Sequence, residues 1–587
     1  MEKEKKIPLT LAQQRSALKF VLSFTRSEAL YFVISLTAGL ILAALSVLAP
    51  FIIKDFMDNQ LANLTATTQT IFFYALMFVA VTILRAIFFF IQWFFFQQAS
   101  QRTVSHVRLA IYKKVHTLGM RYFDKTPTGW LITRITNDTN LFNFYFVFLT
   151  VITGLASLVT AFIALLSLDQ KAAALILIFV PVLLGAVFLY QRLSSRAYGD
   201  MRAKLSLLNT KLNEDLSGMR IIQQFRQEKR LQDDFETINN EYLDLRARVV
   251  RLNSALQGSV VAAILSLAVI TALMIFGYRA QNQIVAAGLI YAFISNLSLF
   301  FNPIGQMMNF LNVFSDGLVA GHRLQQIMRE TELAPAQHEQ PDAKITQGSI
   351  EFRHVSFSYD GEHDILHDVS FKVEAGETVA FVGHTGSGKS SIINLFMRFY
   401  EFNQGQILID DRDIRDYSMK ELHKKIGLVL QDAFLFVGDI RSNIRLYDES
   451  ISDHQIISAA RFTEASHFIE RLDERYAHEV IESGASFSSG ERQLLSFART
   501  MVTEPKILVL DEATANIDTE TEKRIQAGLA NMRRARTTIA IAHRLSTIKK
   551  ADQIFVLNAG KIVEQGNHAQ LLALGGYYAE MYRIQTS

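Results

Sequence analysis

The sequence contains no cysteine, which excludes disulfide bonds and thiolate metal sites. It also lacks a charge excess: 59 lysines and arginines stand against 56 aspartates and glutamates, and a formal net charge of +3 indicates no polyanionic partner such as nucleic acid. Segment 1–6 is charged and leads into a mixed polar stretch, so no signal peptide is predicted. From about Gly348 onward no apolar run could cross a bilayer, which predicts two different environments for the two parts of the chain.

The first 330 residues hold six apolar stretches long enough to cross a bilayer, at residues 30–53, 71–96, 141–168, 172–190, 256–278 and 284–311. Lysine plus arginine counts in the connections alternate, with six before the first span and then one, seven, one, twelve and one. This alternation predicts that both termini and everything after the last span are cytosolic. Segment 10–28 mixes apolar and basic residues, which suits a helix on the inner membrane surface or an ordinary amphipathic helix.

The length of the helical segments predicts stalks that continue beyond the membrane. Residues 71–121 contain no proline, and one continuous helix of that length would extend ~75 Å. Bilayer hydrocarbon is only ~30 Å thick. Candidate turns at the stalk ends lie at 122–128 and near 213–218. We therefore assign 1–330 to a transmembrane domain, 331–347 to a polar linker without apolar periodicity, and 348–587 to a second domain.

Polar residues inside the predicted spans have two interpretations. Arg85 lies near the middle of the second span, where it should face protein or water, either as a structural partner or along a pathway. In the sixth span Asn296, Asn302 and Gln306 accompany several phenylalanines and methionines. This mixture suits contact with amphipathic compounds and helix packing about equally.

The most specific motif of the chain is the stretch Gly383-His384-Thr385-Gly386-Ser387-Gly388-Lys389-Ser390. It follows the strand-like run 378–382 and precedes residues 391–399, where apolar residues recur at helical spacing. Glycines let the backbone N–H groups surround an anion, and the helix N-terminus adds partial positive charge. In this context Lys389 would reach the β- and γ-phosphates and the Ser390 hydroxyl would bind Mg²⁺. ATP or GTP binding is the prediction.

Two further strand-like runs end in polar side chains that suit phosphate chemistry. Residues 506–510 form an apolar run followed by Asp511 and Glu512, and 537–542 are followed by His543. Open α/β sheets bind ligands at the carboxyl ends of their strands. Asp511 would hold Mg²⁺, Glu512 would polarise the attacking water, and His543 would donate to phosphoryl oxygens. Tyr359, after an earlier strand, suits stacking on a purine or packing in a sheet.

Together these residues resemble the half-transporters of the ATP-binding cassette (ABC) exporters, in which six spans precede one cassette. The resemblance implies an all-α six-helix transmembrane domain followed by an α/β P-loop ATPase domain. It also implies ATP and Mg²⁺ as ligands.

By this resemblance, Tyr359 is the adenine platform, 383–390 with Ser391 the Walker A segment, Gln431 the Q-loop, and Ser488 with Gly490 the signature. Likewise, Asp511 is the Walker B aspartate, Glu512 the catalytic glutamate, Asp518 the D-loop and His543 the switch histidine. The implied Mg²⁺ ligands are Ser390, Gln431 and Asp511, and the turns at 122–128 and 213–218 look like the two coupling elements.

The signature departs from the pattern of the family. Where the family usually has Leu-Ser-Gly-Gly-Gln, this chain has Phe487-Ser488-Ser489-Gly490-Glu491. Ser489 adds a side chain where close backbone approach to a phosphate is needed, and Glu491 adds negative charge near that anion. We therefore predict a heterodimer with one competent and one degenerate ATP site. The alternative is that both substitutions are tolerated.

The resemblance implies ATP-driven export of amphipathic or drug-like compounds by alternating access, with contacts to membrane lipids, in the cytoplasmic membrane of a bacterium. A lipid or peptide exporter of the same architecture is the alternative. The six spans exclude a soluble ABC ATPase that acts on nucleic acid.

Overall fold

A computed structural model describes residues 9–281, 283–481, 484–511, 519–541 and 548–586. The chain forms two compact units, which are described separately below. The first comprises Met1–His116 and Thr128–Glu330, and the second comprises Thr117–Pro127 and Thr331–Ser587. A short piece of the N-terminal half therefore belongs to the second unit.

The first unit is built from helices, several of them far longer than a bilayer is thick. They are α1 Leu11–Ser23, α2 Ala29–Phe56, α3 Thr68–Val115, α5 Thr128–Thr133, α6 Phe142–Leu168, α7 Gln170–Ile176, α8 Phe179–Ser217, α9 Met219–Gln224, α10 Glu228–Leu252, α11 Val260–Ala280 and α12 Ala287–Arg329, with α4 Met120–Lys125 in the second unit. Short 3₁₀ or π-helical turns cover Phe24–Glu28, Met57–Leu61, Arg134–Asp138 and Asn253–Ser259.

Six helical stretches in the described part of the chain are long and apolar enough to cross a membrane. The first five contain the first five predicted spans and the last lies within the sixth, 284–311, and they are Leu11–Leu61, Thr68–Val115, Thr128–Leu168, Gln170–Ser217, Glu228–Ala280 and Ala287–Met307. The long continuous helix predicted for 71–121 is present as α3, which ends earlier, at Val115, and whose 48 residues correspond to ~72 Å. The fourth span, by contrast, is interrupted between α7 and α8. Pro181 lies in the first turn of α8, where its missing N–H has no helical partner to lose.

Helix α1, the N-terminal amphipathic segment, packs on α12. Ala17 and Val21 are fully buried, and a Cβ on Gly321 of α12 would lie 2.5 Å from Val21. Ser16 Oγ donates to Gln325 Oε1 at 3.0 Å. One face of α1 is thus occupied by protein, while Leu11 is exposed.

Polar contacts join the long helices at both ends of the first unit. Arg202 of α8 binds Asp316 of α12 through two parallel bonds of 2.6 and 2.5 Å. At the other end of α12, Asp58 Oδ1 accepts the N–H of Gly288 at 2.8 Å, which caps a helix start that has no side-chain cap of its own. Arg85 in α3 is partly buried, and its Nε has no hydrogen-bond partner among the described residues.

The second unit contains twelve described strands in three sheets. They are β1 Ile350–Ser358, β2 Asp364–Val373, β3 Thr378–Val382, β4 Gln404–Ile409, β5 Arg412–Asp413, β6 Ile426–Val429, β7 Gly438–Asp439, β8 Glu479–Val480, β9 Ile507–Asp511, β10 Thr537–Ile541, β11 Gln553–Asn558 and β12 Lys561–Gly566. The largest sheet has the order β12-β11-β3-β10-β9-β6 and is parallel except for β12. The second sheet is antiparallel and has the order β2-β1-β4-β5, and the third consists of the pair β7-β8.

Helices cover these sheets, and the described residues of this unit form three apolar clusters. The helices are α13 Lys389–Phe396, α14 Met419–Lys425, α15 Ile440–Arg445, α16 Asp453–Phe462, α17 Ser466–Ile469, α18 Ser489–Met501, α19 Thr519–Arg533, α20 His568–Leu574 and α21 Tyr577–Thr586, with 3₁₀ turns at Ile414–Asp416 and Arg475–Ala477. The strands β3, β9 and β10 are almost entirely buried, which explains their continuous apolar sequence.

The start of β1 is held by a carboxylate in the β4–β5 turn. Asp410 accepts the backbone N–H groups of residues 346 to 349, four consecutive donors at 2.8, 2.9, 2.7 and 2.9 Å. Burial alone would raise the pKa of Asp410, but these donors bring it below its usual range. The charged form of Asp410 therefore fixes the end of the linker to the sheet.

Candidate nucleotide site

The phosphate loop connects β3 to α13, as its flanking sequence predicts. Gly388 caps α13 in a left-handed conformation with φ of +103°, and a Cβ there would lie 2.7 Å from the Leu366 side chain. Gly386 also has a positive φ, +82°, with open space where a Cβ would be. Both conformations favour glycine. At Gly386 the loop thus exposes its backbone, with no side chain between that backbone and a bound ligand.

Lys389 is buried beneath this loop. Its Nζ donates to the carbonyl oxygens of Gly383 at 2.7 Å and His384 at 2.9 Å. Burial lowers the pKa of the Lys389 ammonium, and the negative charge of Asp511 acts in the opposite direction. A largely desolvated cation is therefore held against a glycine loop and near a carboxylate, an arrangement that suits polyphosphate.

The sheet register brings Asp511 to the same edge as the phosphate loop. In β10, Ile541 aligns with Asp511 of β9 on one side and with Phe381 of β3 on the other. Val429, at the end of β6, aligns with Leu510, so the exposed Gln431 follows at that edge as well. Ser390 in the first turn of α13 is exposed. The predicted Mg²⁺ ligands thus lie at or beyond the carboxyl ends of the strands, or at the start of α13. Glu512, Asp518 and His543 lie outside the described residues.

Tyr359 is tied to the start of α13 instead of extending freely. Its hydroxyl donates to Ser391 Oγ at 3.1 Å and accepts from Asn394 Nδ2 at 3.0 Å. Its ring packs at nearly right angles against Phe357 and Tyr400, with centroids 4.6 and 4.9 Å away. The ring is therefore fixed relative to the phosphate loop, and it remains only partly buried.

The signature residues form the start of α18 through a reciprocal cap. Ser488 Oγ accepts the N–H of Glu491 at 3.2 Å, and Glu491 Oε2 accepts the N–H of Ser488 at 2.8 Å. Ser488 and Ser489 are exposed and Gly490 is buried. The Glu491 carboxylate consequently lies in the first turn of α18, beside the N–H groups that the resemblance assigns to phosphate binding.

Gly560 is a further residue of this site, which sequence reasoning missed. Its N–H donates to the Ser387 carbonyl at 3.1 Å, and its own carbonyl accepts from His367 N at 2.9 Å. Its φ is +78°, and a Cβ there would collide with the Ile365 carbonyl. The only sequence signal is the Asn-Ala-Gly turn between β11 and β12. Gly560 thus fixes the phosphate loop to the neighbouring hairpin.

Comparison with known proteins gives matches to both units. A family model described as ABC transporter transmembrane region matches residues 32–304, and one described as ABC transporter matches residues 366–515. The chain is 43% identical over 575 residues to a Streptococcus pneumoniae protein provisionally named ABC transporter ATP-binding protein exp8, and the match covers 98% of each. It is 40% identical over 498 residues to a Bacillus subtilis protein provisionally named multidrug resistance ABC transporter ATP-binding/permease protein YheH, covering 84% of this chain and 74% of that protein.

A lipid-transporting relative and a solved structure are also similar. The ATP-dependent lipid A-core flippase of Syntrophus aciditrophicus is 31% identical over 584 residues, covering 98% of this chain and 95% of the flippase. The structure of a bacterial Atm1-family ABC exporter with ATP bound matches with a TM-score of 0.76 and 28% identity, over 94% of this chain and 98% of that one. The chain therefore belongs to the ABC transporter family, as a multi-pass exporter half-transporter in which six apolar helices precede an ATP-binding cassette.

Proposed function

We propose that this half-transporter exports amphipathic or drug-like compounds across the cytoplasmic membrane of a bacterium. In this proposal it forms one half of a heterodimer with one competent and one degenerate ATP site. The observation that carries the proposal is the combination of an intact phosphate loop with an altered signature on the same chain. The termini and the cassette would be cytosolic, as the distribution of basic residues predicts.

Each residue of the nucleotide site would have a separate role in ATP binding and hydrolysis. The loop N–H groups and the buried Lys389 ammonium would bind the β- and γ-phosphates. Tyr359 would stack on the adenine. The hydroxyl of Ser390, the carboxylate of Asp511 and the amide oxygen of Gln431 are hard oxygen donors that fit Mg²⁺, which when bound would neutralise phosphate charge. Glu512 would orient and polarise the attacking water.

The structural contacts of Glu491 support unequal ATP sites. Its carboxylate accepts an N–H group in the first turn of α18, the turn that would face the γ-phosphate bound by a second cassette. A negative charge there opposes the binding of another anion. In a homodimer both sites would carry this charge, whereas in a heterodimer the partner's signature would complete the site built on Lys389.

Apolar surface near the stalk ends supports an assembly with a second subunit. Ile221 of α9 and the adjoining Phe225 are exposed, 63% and 65%, and they follow closely after the segment near 213–218 that sequence analysis assigns to a coupling element outside the membrane. Half-transporters function as pairs, and such exposed apolar side chains suit coverage by the second chain. The partner is proposed to be a different ABC half-transporter.

Helices α3, α6 and α12 supply aromatic surface that suits amphipathic compounds. Phe146 meets Trp93 and Phe310 edge-on with centroids 5.5 Å apart, and these three rings are partly or largely exposed, whereas Phe144 is buried against Phe314. Further along α12, the polar Asn302 and Gln306 are exposed and Asn296 is fully buried. Asn296 therefore fits the packing interpretation, whereas Asn302 and Gln306 fit contact with a ligand. The similarity to a protein named for multidrug resistance supports drug-like substrates, and the lipid A-core flippase supports the lipid alternative.

The test compares substrates in one preparation. The chain, copurified with its native partner, is reconstituted in nanodiscs, and its Mg²⁺-dependent ATPase activity is measured with ethidium and with added lipids. Stimulation by ethidium supports the proposal, and stimulation by lipid alone supports the alternative. Robust ATPase activity from this chain purified alone would contradict the heterodimer.

A further inference from the structure

The end of the phosphate-loop helix binds the linker that follows the last span. Arg398 lies two residues after α13, and its side chain is fully buried. Its two Nη atoms bind the Glu401 carboxylate at 3.0 and 2.7 Å, its Nε donates to Gln337 Oε1 at 3.0 Å, and Nη2 also donates to the Ala336 carbonyl at 3.0 Å. A buried guanidinium needs acceptors for its N–H groups, and two of the acceptors here belong to the linker.

The linker is fixed along the cassette by further bonds. Gln337 Nε2 donates to the carbonyls of Ile414 at 3.1 Å and Tyr417 at 3.0 Å. The backbone N–H groups of His338 and Gln340 donate to the carbonyls of residues 415 and 416 at 2.7 and 2.8 Å. Gln337 therefore uses both ends of its amide, one toward Arg398 and one toward the 414–417 turn. The polar composition of this segment predicted a linker, and these bonds hold part of it along the cassette.

The beginning of the linker pairs with the short N-terminal piece of the second unit. The N–H of Gly119 donates to the Glu332 carbonyl at 2.9 Å, and the N–H of Ala334 donates to the Thr117 carbonyl at 3.3 Å. Arg121 binds the Glu332 carboxylate at 3.1 Å. A Cβ on Gly119 would lie 2.7 Å from the Leu333 carbonyl oxygen, so this approach requires glycine. We call residues 332–340 the linker strap.

The linker strap thus joins three elements through consecutive contacts. It binds the end of α13, whose first residue is Lys389, and it pairs with 117–119, which follow α3 in the chain. Its own N-terminal neighbour in the chain is α12. A shift of α13 on nucleotide binding would be transmitted to both long helices through these bonds, because close-packed and hydrogen-bonded elements move together.

We infer that Arg398 and Gln337 are positioning residues that transmit the state of the phosphate loop to the membrane helices through the linker strap. This inference rests on the proposed export function. It predicts that weakening the Gln337 bonds reduces the transport obtained per ATP while ATP binding stays intact, since the hydrogen bonds described for Gln337 reach Arg398, Ile414 and Tyr417, which are not among the predicted nucleotide-binding residues.

The experiment uses the full-length chain with its native partner and three variants. Gln337→Ala removes the bonds to Arg398 and to the 414–417 turn, and Arg398→Lys keeps the cation but not the fork of donors. Arg415→Ala is the matched control, because the Arg415 side chain packs on the same Phe402 ring as Arg398 but binds Asp413. We expect ATP affinity within about twofold of wild type in all three, and ethidium transport per ATP lowered about tenfold in Gln337→Ala and Arg398→Lys only.

Hydrogen exchange gives a readout that does not depend on transport. In the wild type, Mg-ATP is expected to change the exchange of the amides of residues 331–340, and Gln337→Ala should exchange rapidly there with or without nucleotide. Unchanged exchange in the wild type, or a folded Gln337→Ala complex with wild-type transport per ATP, overturns the inference. If Arg398→Lys does not fold, the Gln337→Ala variant alone tests the inference. A wild-type complex that hydrolyses ATP but moves no solute contradicts the export function. In that case the exchange data still test whether nucleotide binding reaches the linker strap.

Discussion

Replacing Glu491 with glutamine removes one negative charge from the first turn of α18 while leaving that turn capped. Glutamine performs the same capping role three times elsewhere among the described residues. Gln13, Gln455 and Gln570 each accept the N–H of the residue three positions earlier at 2.9 Å. The helix should therefore be equally stable in the variant, and any change in nucleotide binding reports on charge.

The expected magnitude follows from the geometry of this turn. The Glu491 carboxylate lies 2.8 Å from the Ser488 nitrogen. A phosphate oxygen bound at about 2.9 Å by the N–H groups of the same turn would lie about 6 Å from the carboxylate. Two unit charges at about 6 Å repel by roughly 0.7–2.8 kcal/mol for dielectric constants of about 80 to 20. Removing the charge should thus tighten nucleotide binding about 3- to 100-fold.

The assay isolates the site that this signature completes. Lys389→Ala weakens the site built on this chain, so a fluorescent non-hydrolysable ATP analogue reports mainly on the site completed by α18. We expect Glu491→Gln to tighten binding in that background. The control Gln455→Glu adds a charge to an equivalent cap on α16 and should have no effect. Equal affinities with and without the Glu491 charge would refute the reasoning and remove the main support for unequal sites.

Three further predictions concern stability, turnover and the membrane helices. Asp410→Asn leaves two of the four N–H donors facing an amide NH₂ group, which should lower the free energy of unfolding by about 2–3 kcal/mol near neutral pH. The folded pKa of Asp410 lies below its usual range, so the difference in free energy of unfolding between wild type and variant should be constant above about pH 4. It should shrink as pH falls through the lowered pKa. Denaturant titrations at several pH values measure this difference. Glu512→Gln should leave ATP affinity nearly intact and abolish most turnover in a coupled ATPase assay; unchanged turnover would assign water activation to another residue. Arg85→Ala should impair folding or transport without altering nucleotide affinity, and a defect confined to nucleotide binding would contradict its predicted placement in the membrane.

Sequence patterns predicted the features that arise from residues close together in the chain. The six apolar stretches, the strand, loop and helix around Lys389, and the buried strand before Asp511 all depend on local periodicity and composition, and the structure contains each of them. The reciprocal cap at Glu491 also has a local signature, Ser-x-x-Glu, although the sequence prediction concerned only the charge of Glu491.

Features built from distant residues could not be predicted in this way. Gln337 and Arg398 are separated by 61 positions, and no periodicity links a polar linker to a single arginine. Gly560 meets Ser387 only because β11 pairs with β3. The predicted roles of Glu512, Asp518 and His543 remain predictions, since these residues lie outside the described part of the chain.

The coupling of ATP hydrolysis to export is tested most directly when ATP use and solute movement are measured together. Proteoliposomes that contain the complete complex are loaded with Mg-ATP on the cassette side, and ethidium movement is followed alongside phosphate release. We expect transport that requires hydrolysis and disappears in the Glu512→Gln variant. Sustained hydrolysis with no movement of ethidium, lipid or any compound in a broad panel would contradict this coupling.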